Sequence, residues 1–315
     1  MSLSLRQSPT TRSTSLKPTG GILTSRLERR RVCHAFLGHS NVTGESSSLM
    51  ITCQLLGGLG NQLFQIATTL AVALEHEDEA VFDLNGHRQL SQGSRAIDYK
   101  TTIYRNLIDR QIPPCKYIFK EQGFGYRPIA YQSGMMLVGF FQSEKYFIKY
   151  RQKLLDIFTP DRQVIEELKY KYAFILERPN CAIHVRRGDY VKRTQYHPIC
   201  SLDYYSLAID LFDRDTTFLV FSDDIDWCKQ TFDSPRFTFS ENSSVASPPP
   251  RSEYIDLYLM SMCQHQIIAN STFSWWGSWL NQNPHKRIIA PKNWFGSALQ
   301  HLKTDDIYTE SMLKI

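Results

Sequence analysis

Several things are missing from this chain of 315 residues. No run approaches 18 consecutive apolar residues, so no segment reads as a membrane-spanning helix. The start has no apolar core of a secretory signal, and the Asn-X-Ser/Thr matches at Asn41, Asn242 and Asn270 are therefore expected to be chance. The seven cysteines (Cys33, Cys53, Cys115, Cys181, Cys200, Cys228 and Cys263) never fall at CxxC spacing, which leaves a zinc site without support. Their number is odd, and a chain this long builds cores without staples, so they read as reduced thiols of a cytosolic protein. Net charge is missing from most of the chain as well. Seven basic and two acidic residues lie in the first 50, so the whole of the formal +5 sits there and the remainder balances. A folded part without net charge is not a general polyanion-binding surface, and nucleic acid is not expected as a partner.

What is present is ordinary globular composition, with 42% hydrophobic and 21% charged residues, and no internal repeat. Residues 1–46 are basic, polar and aperiodic, and read as a disordered extension; their Ser/Thr/Arg richness equally suits a transit segment. From Leu49 strands and helices alternate. Strands are expected at 49–56, 80–84, 136–140, 180–185, 217–221, 237–239, 266–269 and 287–290. Helices are expected near 61–77, 145–158, 161–173, 202–212, 254–263 and 273–280. Short connections between them imply parallel sheets covered on both faces, in two units of about 47–165 and 166–315.

Four segments carry chemistry, each where an apolar strand gives way to polar residues. Leu56-Gly-Gly-Leu-Gly-Asn-Gln opens a helix. Its glycines allow close backbone approach, and free amides at a helix start suit a phosphate. Gly58 and Gly60 have GxG spacing, but Leu63 stands where a dinucleotide motif needs glycine, and no Lys-Ser/Thr follows as in a Walker loop. Asn61 and Gln62 add side-chain donors. In His184-Val-Arg-Arg-Gly-Asp189, strand alternation puts His184 and Arg186 on one face. Arg186 offers a fork of donors matching a diphosphate, and Arg187 is expected to pair with Asp189. Asp223 and Asp224 end a third strand and can read a base or ribose, although Asp224 equally suits a helix cap. Ser271 and Thr272 open the last of these helices and can donate to a phosphate, ahead of Trp275, Trp276 and Trp279, which can stack on a sugar or pack the core. A nucleotide diphosphate held across a cleft accounts for all four.

These segments resemble the α-1,2-fucosyltransferases. Gly57-Gly-Leu-Gly-Asn-Gln-Leu-Phe-Gln, His184-Val-Arg-Arg-Gly-Asp and Asn270-Ser-Thr-Phe-Ser-Trp-Trp-Gly match three motifs in family order. The second is shared with α-1,6- and protein O-fucosyltransferases. The resemblance implies an α/β fold of GT-B architecture, two Rossmann-like domains facing each other across a cleft. It implies GDP-β-L-fucose as donor, a terminal β-galactoside as acceptor, inversion to an α-1,2 linkage, and no essential metal or other cofactor. Arg186 would hold the diphosphate, with His184 near the guanine. Asp223 or Asp224 would read the base, and Ser271 or Thr272 would touch a phosphate. Gly58, Gly60 and Asn61 would close over the donor. Asp189 is a candidate base that an arginine can instead occupy. The animal members' anchor helix is not matched, which implies a cytoplasmic enzyme, at most peripheral at the inner membrane. Two alternatives stay open: a transferase for another nucleotide sugar, and a non-catalytic nucleotide or glycan binder.

Overall fold

The computed structural model describes residues 50–86, 94–241 and 251–315. The basic extension and the proline run 248–250 lie outside them. The strands are β1 (Met50–Cys53), β2 (Glu79–Phe82), β3 (Ile108–Asp109), β4 (Tyr117–Lys120), β5 (Met135–Val138), β6 (Asn180–Val185), β7 (Thr217–Ser222), β8 (Phe237–Phe239), β9 (His265–Ile267), β10 (Ile288–Ala290) and β11 (Met312–Lys314). The helices are α1 (Leu59–Glu75), α2 (Arg151–Phe158), α3 (Arg162–Lys171), α4 (Ala173–Leu176), α5 (Leu202–Asp210), α6 (Ile225–Thr231), α7 (Arg251–Met262) and α8 (Thr272–Leu280).

Two sheets result, and every pairing in them is parallel. The first runs β3-β2-β1-β5-β4 and the second β11-β10-β9-β6-β7-β8. The second has the doubly wound order, three strands on each side of the junction between β6 and β9. This is the GT-B-like arrangement of two Rossmann-like halves. Strand alternation builds both faces of the second sheet. Cys181, Ile183, Val185, Phe218, Val220 and Ile267 enter one apolar cluster. Ala182, Leu219, Phe221 and Ile268 enter the other, which is continuous with the first sheet's Ile51 and Leu137.

The two halves meet through α1 and α8. Phe64 of α1 lies 4.4 Å from the ring of Trp275 and 5.2 Å from that of Trp276. All three tryptophans of α8 are buried, so packing, not sugar stacking, is their role. Rings of this size hide roughly 150–250 Å² each, about 4–6 kcal/mol of transfer free energy at ~25 cal/mol per Å². Such packing fixes the start of α8 against the start of α1. The six described cysteines are all free, as the sequence suggests.

Candidate active site

In open parallel sheets, ligands sit beyond the carboxyl ends of strands where the winding reverses. The first sheet reverses between β1 and β5 and the second between β6 and β9. The four exits at these points carry Gly57 to Asn61, Gly139 to Ser143, Arg186 to Asp189, and Asn270 to Thr272.

At the β6 exit, Arg186 Nη2 donates to Asp189 Oδ1 at 2.7 Å, and Nη1 faces Asp223 Oδ2 at 3.0 Å. Its guanidinium also lies over the Tyr190 ring at 5.4 Å. Burial works against its charge, but Asp223, Tyr190 and Asp189 together more than offset that and raise its pKa. Arg187 does not pair with Asp189 as expected. Alternation turns it toward the β7 exit, where Nε donates to Asp224 Oδ2 at 2.9 Å and the guanidinium covers Trp227 at 3.9 Å. The Arg187 amide donates to Asp223 Oδ1, and a Cβ on Gly188 would meet Asp223 Oδ2 at 2.4 Å. Asp224 stands at the cap of α6 without making a side-chain capping bond. Thus two guanidinium groups face three carboxylates.

His184 is buried, with its ring 5.5 Å from Phe273 in the first turn of α8. Its Nδ1 has no hydrogen-bond partner among the described residues. Burial lowers its pKa to about 4; Asp223 pulls upward and Arg186 downward. An unfolded histidine binds its proton near 6.5. The native state therefore stays neutral while the unfolded state protonates, so stability is expected to fall as pH drops from about 6.5 toward 4. Urea melts across that window check this, and His184→Gln should flatten the slope.

At the β1 exit, Gly57 has φ +77°, a left-handed backbone that glycine accepts freely. It starts α1, whose cap position, Gly58, makes no side-chain bond. Gln62 is not available as a ligand donor. Its amide donates to Gly57 O and Ser94 O, and its oxygen accepts from Tyr104, so it ties the turn to the fold. Asn61 remains half-exposed, its Oδ1 accepting from Gln142 Nε2 at 3.0 Å. A Cβ on Gly60 would fall 2.5 Å from the Thr272 carbonyl carbon and 2.6 Å from Phe273 N. The start of α1 therefore touches the start of α8, whose cap residue Ser271 makes no side-chain capping bond. Two helix starts, each carrying unpaired amides and a positive dipole end, converge without side-chain caps.

Sequence reasoning missed the residues that hold this arrangement. Gln142 is buried, and its Oε1 has no partner among the described residues. The Glu121 carboxylate accepts the amides of Phe140 and Phe141, and so steadies Phe141 at φ +52°, a strained value for a bulky residue. Asn270 Nδ2 donates to Pro198 O at 2.9 Å and to Trp294 O at 3.1 Å, which leaves this buried amide committed to the fold. The signal for Gln142 was there: Gly139-Phe-Phe-Gln-Ser also ends an apolar strand in polar residues.

The profile of glycosyl transferase family 11 matches residues 23–313. An Escherichia coli α-1,2-colitosyltransferase is 31% identical over 272 residues, covering 78% of this chain and 92% of its own. The E. coli O-antigen biosynthesis glycosyltransferase WbnK is 29% identical, covering 78% and 95%. Galactoside α-(1,2)-fucosyltransferase 2 of Oryctolagus cuniculus is 27% identical, covering 73% of this chain and 67% of its own.

Proposed function

This chain belongs to glycosyl transferase family 11, and from that premise we propose that it moves L-fucose from GDP-β-L-fucose to the 2-hydroxyl of a terminal β-galactoside, with inversion to an α-1,2 linkage. The observation that carries the reading is the meeting of two uncapped helix starts at Gly60 and Thr272, beside the exit that bears Arg186. With three carboxylates against two arginines, charge alone does not attract a diphosphate. Converging amides and dipole ends supply the rest. Arg186 then grips the leaving diphosphate, and its charge counts most as the bond to the sugar breaks. Gly58, Gly60 and Asn61 approach from the first half, and Ser271 and Thr272 from the second. His184 lies toward the guanine, and Asp223 and Asp224 meet the base edge with the lone pairs their arginines leave. Asp189 orients Arg186, and Asn61 stands next to the sugar.

The names of the E. coli colitosyltransferase and the rabbit enzyme both carry an α-1,2 linkage, which supports the regiochemistry. The same colitosyltransferase favours one second reading, transfer of a different sugar by the same machinery. A screen of GDP- and UDP-sugars against β-galactosides separates the two. GDP release should need both GDP-fucose and a β-galactoside, and a clear preference for another donor would end the fucosyl reading. A cytoplasmic location, at most peripheral to a membrane, belongs to the same proposal, and cell fractionation checks it.

A further inference from the structure

Beyond the carboxyl ends of β4, β5, β6 and β10 a chain of rings links the two halves. Phe140 stacks on Phe124 at 6.2 Å and 11°, Phe124 meets Phe295 edge-on at 4.9 Å, and Phe295 meets His197 at 5.8 Å. His197 stacks on Tyr190 at 4.9 Å and 18°, and the Tyr190 ring carries the Arg186 guanidinium. Phe140, Phe124, Phe295 and His197 are each half-buried, unlike the fully buried core tryptophans. All four follow strand ends on the side where the donor is placed.

The ridge is held in place from beneath. The amides of Gly296 and Ala298 donate to Tyr196 O and Gln195 O at 2.9 Å each, which pins the His197 loop to the Phe295 segment. A Cβ on Gly296 would lie 2.3 Å from Gln195 O, so the two backbones touch. Asn270 bonds the carbonyls next to His197 and next to Phe295. Tyr126 N and Lys145 both reach Asp306, tying the Phe124 loop to the second half.

We propose that this ridge is the acceptor subsite, a platform for the apolar C–H face of a pyranose, with His197 as its polar inner end. The inference deepens the transferase reading and rests on it for the position of the donor. Half-exposed rings in a line suit a sugar because each offers a flat apolar surface at little entropic cost. A chain of several rings fits a glycan of more than one residue. The line ends against buried Tyr190, which carries Arg186, so a sugar at His197, the innermost half-buried ring, lies near the guanidinium where transfer occurs. Burial keeps the His197 imidazole below its usual pKa, with Asp189 opposing and Arg186 and Arg193 reinforcing, so near neutral pH it accepts a hydrogen bond from a hydroxyl.

The test uses the full chain with Phe295→Leu and, from the other half, Phe124→Leu. Binding of methyl β-galactoside, β-glucoside and β-N-acetylglucosaminide is followed by saturation-transfer NMR with GDP present, alongside transfer kinetics. Each variant should weaken glycoside binding and raise the acceptor KM about tenfold, the scale of one lost aromatic stacking contact. GDP affinity should stay unchanged, which also shows that the variant folds. Unaltered acceptor KM in both variants, or a wild type that binds no glycoside, would overturn the ridge. Ring-dependent binding without fucosyl transfer would sink the transferase reading and leave the ridge standing.

Discussion

Arg186→Ala is expected to lower turnover about 10²–10³-fold with GDP-fucose saturating, the scale seen when one preorganised donor to a developing oxyanion is removed. Its side chain is held by Asp189 at 2.7 Å and Asp223 at 3.0 Å, so its geometry is fixed before the donor arrives and no reorganisation is needed as charge develops. The same partners complicate the experiment. Deleting the guanidinium leaves two carboxylates without their counter-charge, and these will repel a diphosphate in the ground state. Arg186→Ala should therefore weaken GDP binding as well as turnover. Adding Asp223→Asn should recover part of the GDP affinity, measured by calorimetry, but little of the turnover. Arg186→Lys should behave like the alanine variant more than the wild type, since one ammonium cannot bond both carboxylates in a planar fork and still meet phosphate oxygens. Near-normal turnover in Arg186→Ala would remove the guanidinium from the chemistry.

The parts of the site that could be read in the sequence share one local signature, an apolar strand that stops at polar residues before a helix. This placed Gly60, Arg186, Asp223 and Thr272 at strand exits, and the structure brings Gly60 against Thr272 and Arg186 against Asp223. The unread parts depend on partners distant in sequence. Gln142 matters through Asn61, 81 residues away, and Asn270 through carbonyls 72 and 24 residues away. Nothing in the local pattern around His197 or Phe295 reports that they meet. The exchange of arginine partners has the same origin, since the β7 neighbour that supplies Asp224 is 37 residues from Arg187. Among the elements, β1, β6 and β7 were legible because burial on both faces demands continuous apolar runs. Strands β3, β4 and β11 were not, because they are short edges. Tyr117 and Ile118 of β4 are 49% and 58% exposed, so no burial pattern marks them. Residues 145–158 read as one helix but form two 3-10 turns before α2. There Phe147 is drawn inward to stack on Trp276 at 5.4 Å, so tertiary packing overrides the local helical period.

Gly60→Ala sets helix propensity against packing, and packing should win. Alanine in a helix is favoured over glycine by about 1 kcal/mol. Its methyl, however, would lie 2.5 Å from the Thr272 carbonyl carbon and 2.6 Å from Phe273 N, and both are backbone atoms that no rotamer change can move aside. Ordinary carbon contacts need about 3.5 Å or more, so α1 or α8 must withdraw by about 1 Å. Forcing an extra methyl into packed surroundings costs roughly 1–3 kcal/mol. The net change in stability should thus be a modest loss, seen as a fall in Tm of a few degrees. The loss of function should be larger. A displacement of ~1 Å at a positioning element can cost about 10²-fold in rate, and here the displaced elements are the two helix starts proposed to cradle the diphosphate. Turnover should drop by that order while the protein remains folded at assay temperature, and GDP should bind more weakly, because amides on separated helices can no longer converge on one anion. A variant with unchanged Tm, GDP affinity and turnover would mean that the two helix starts do not touch during catalysis, and the diphosphate would then need another seat.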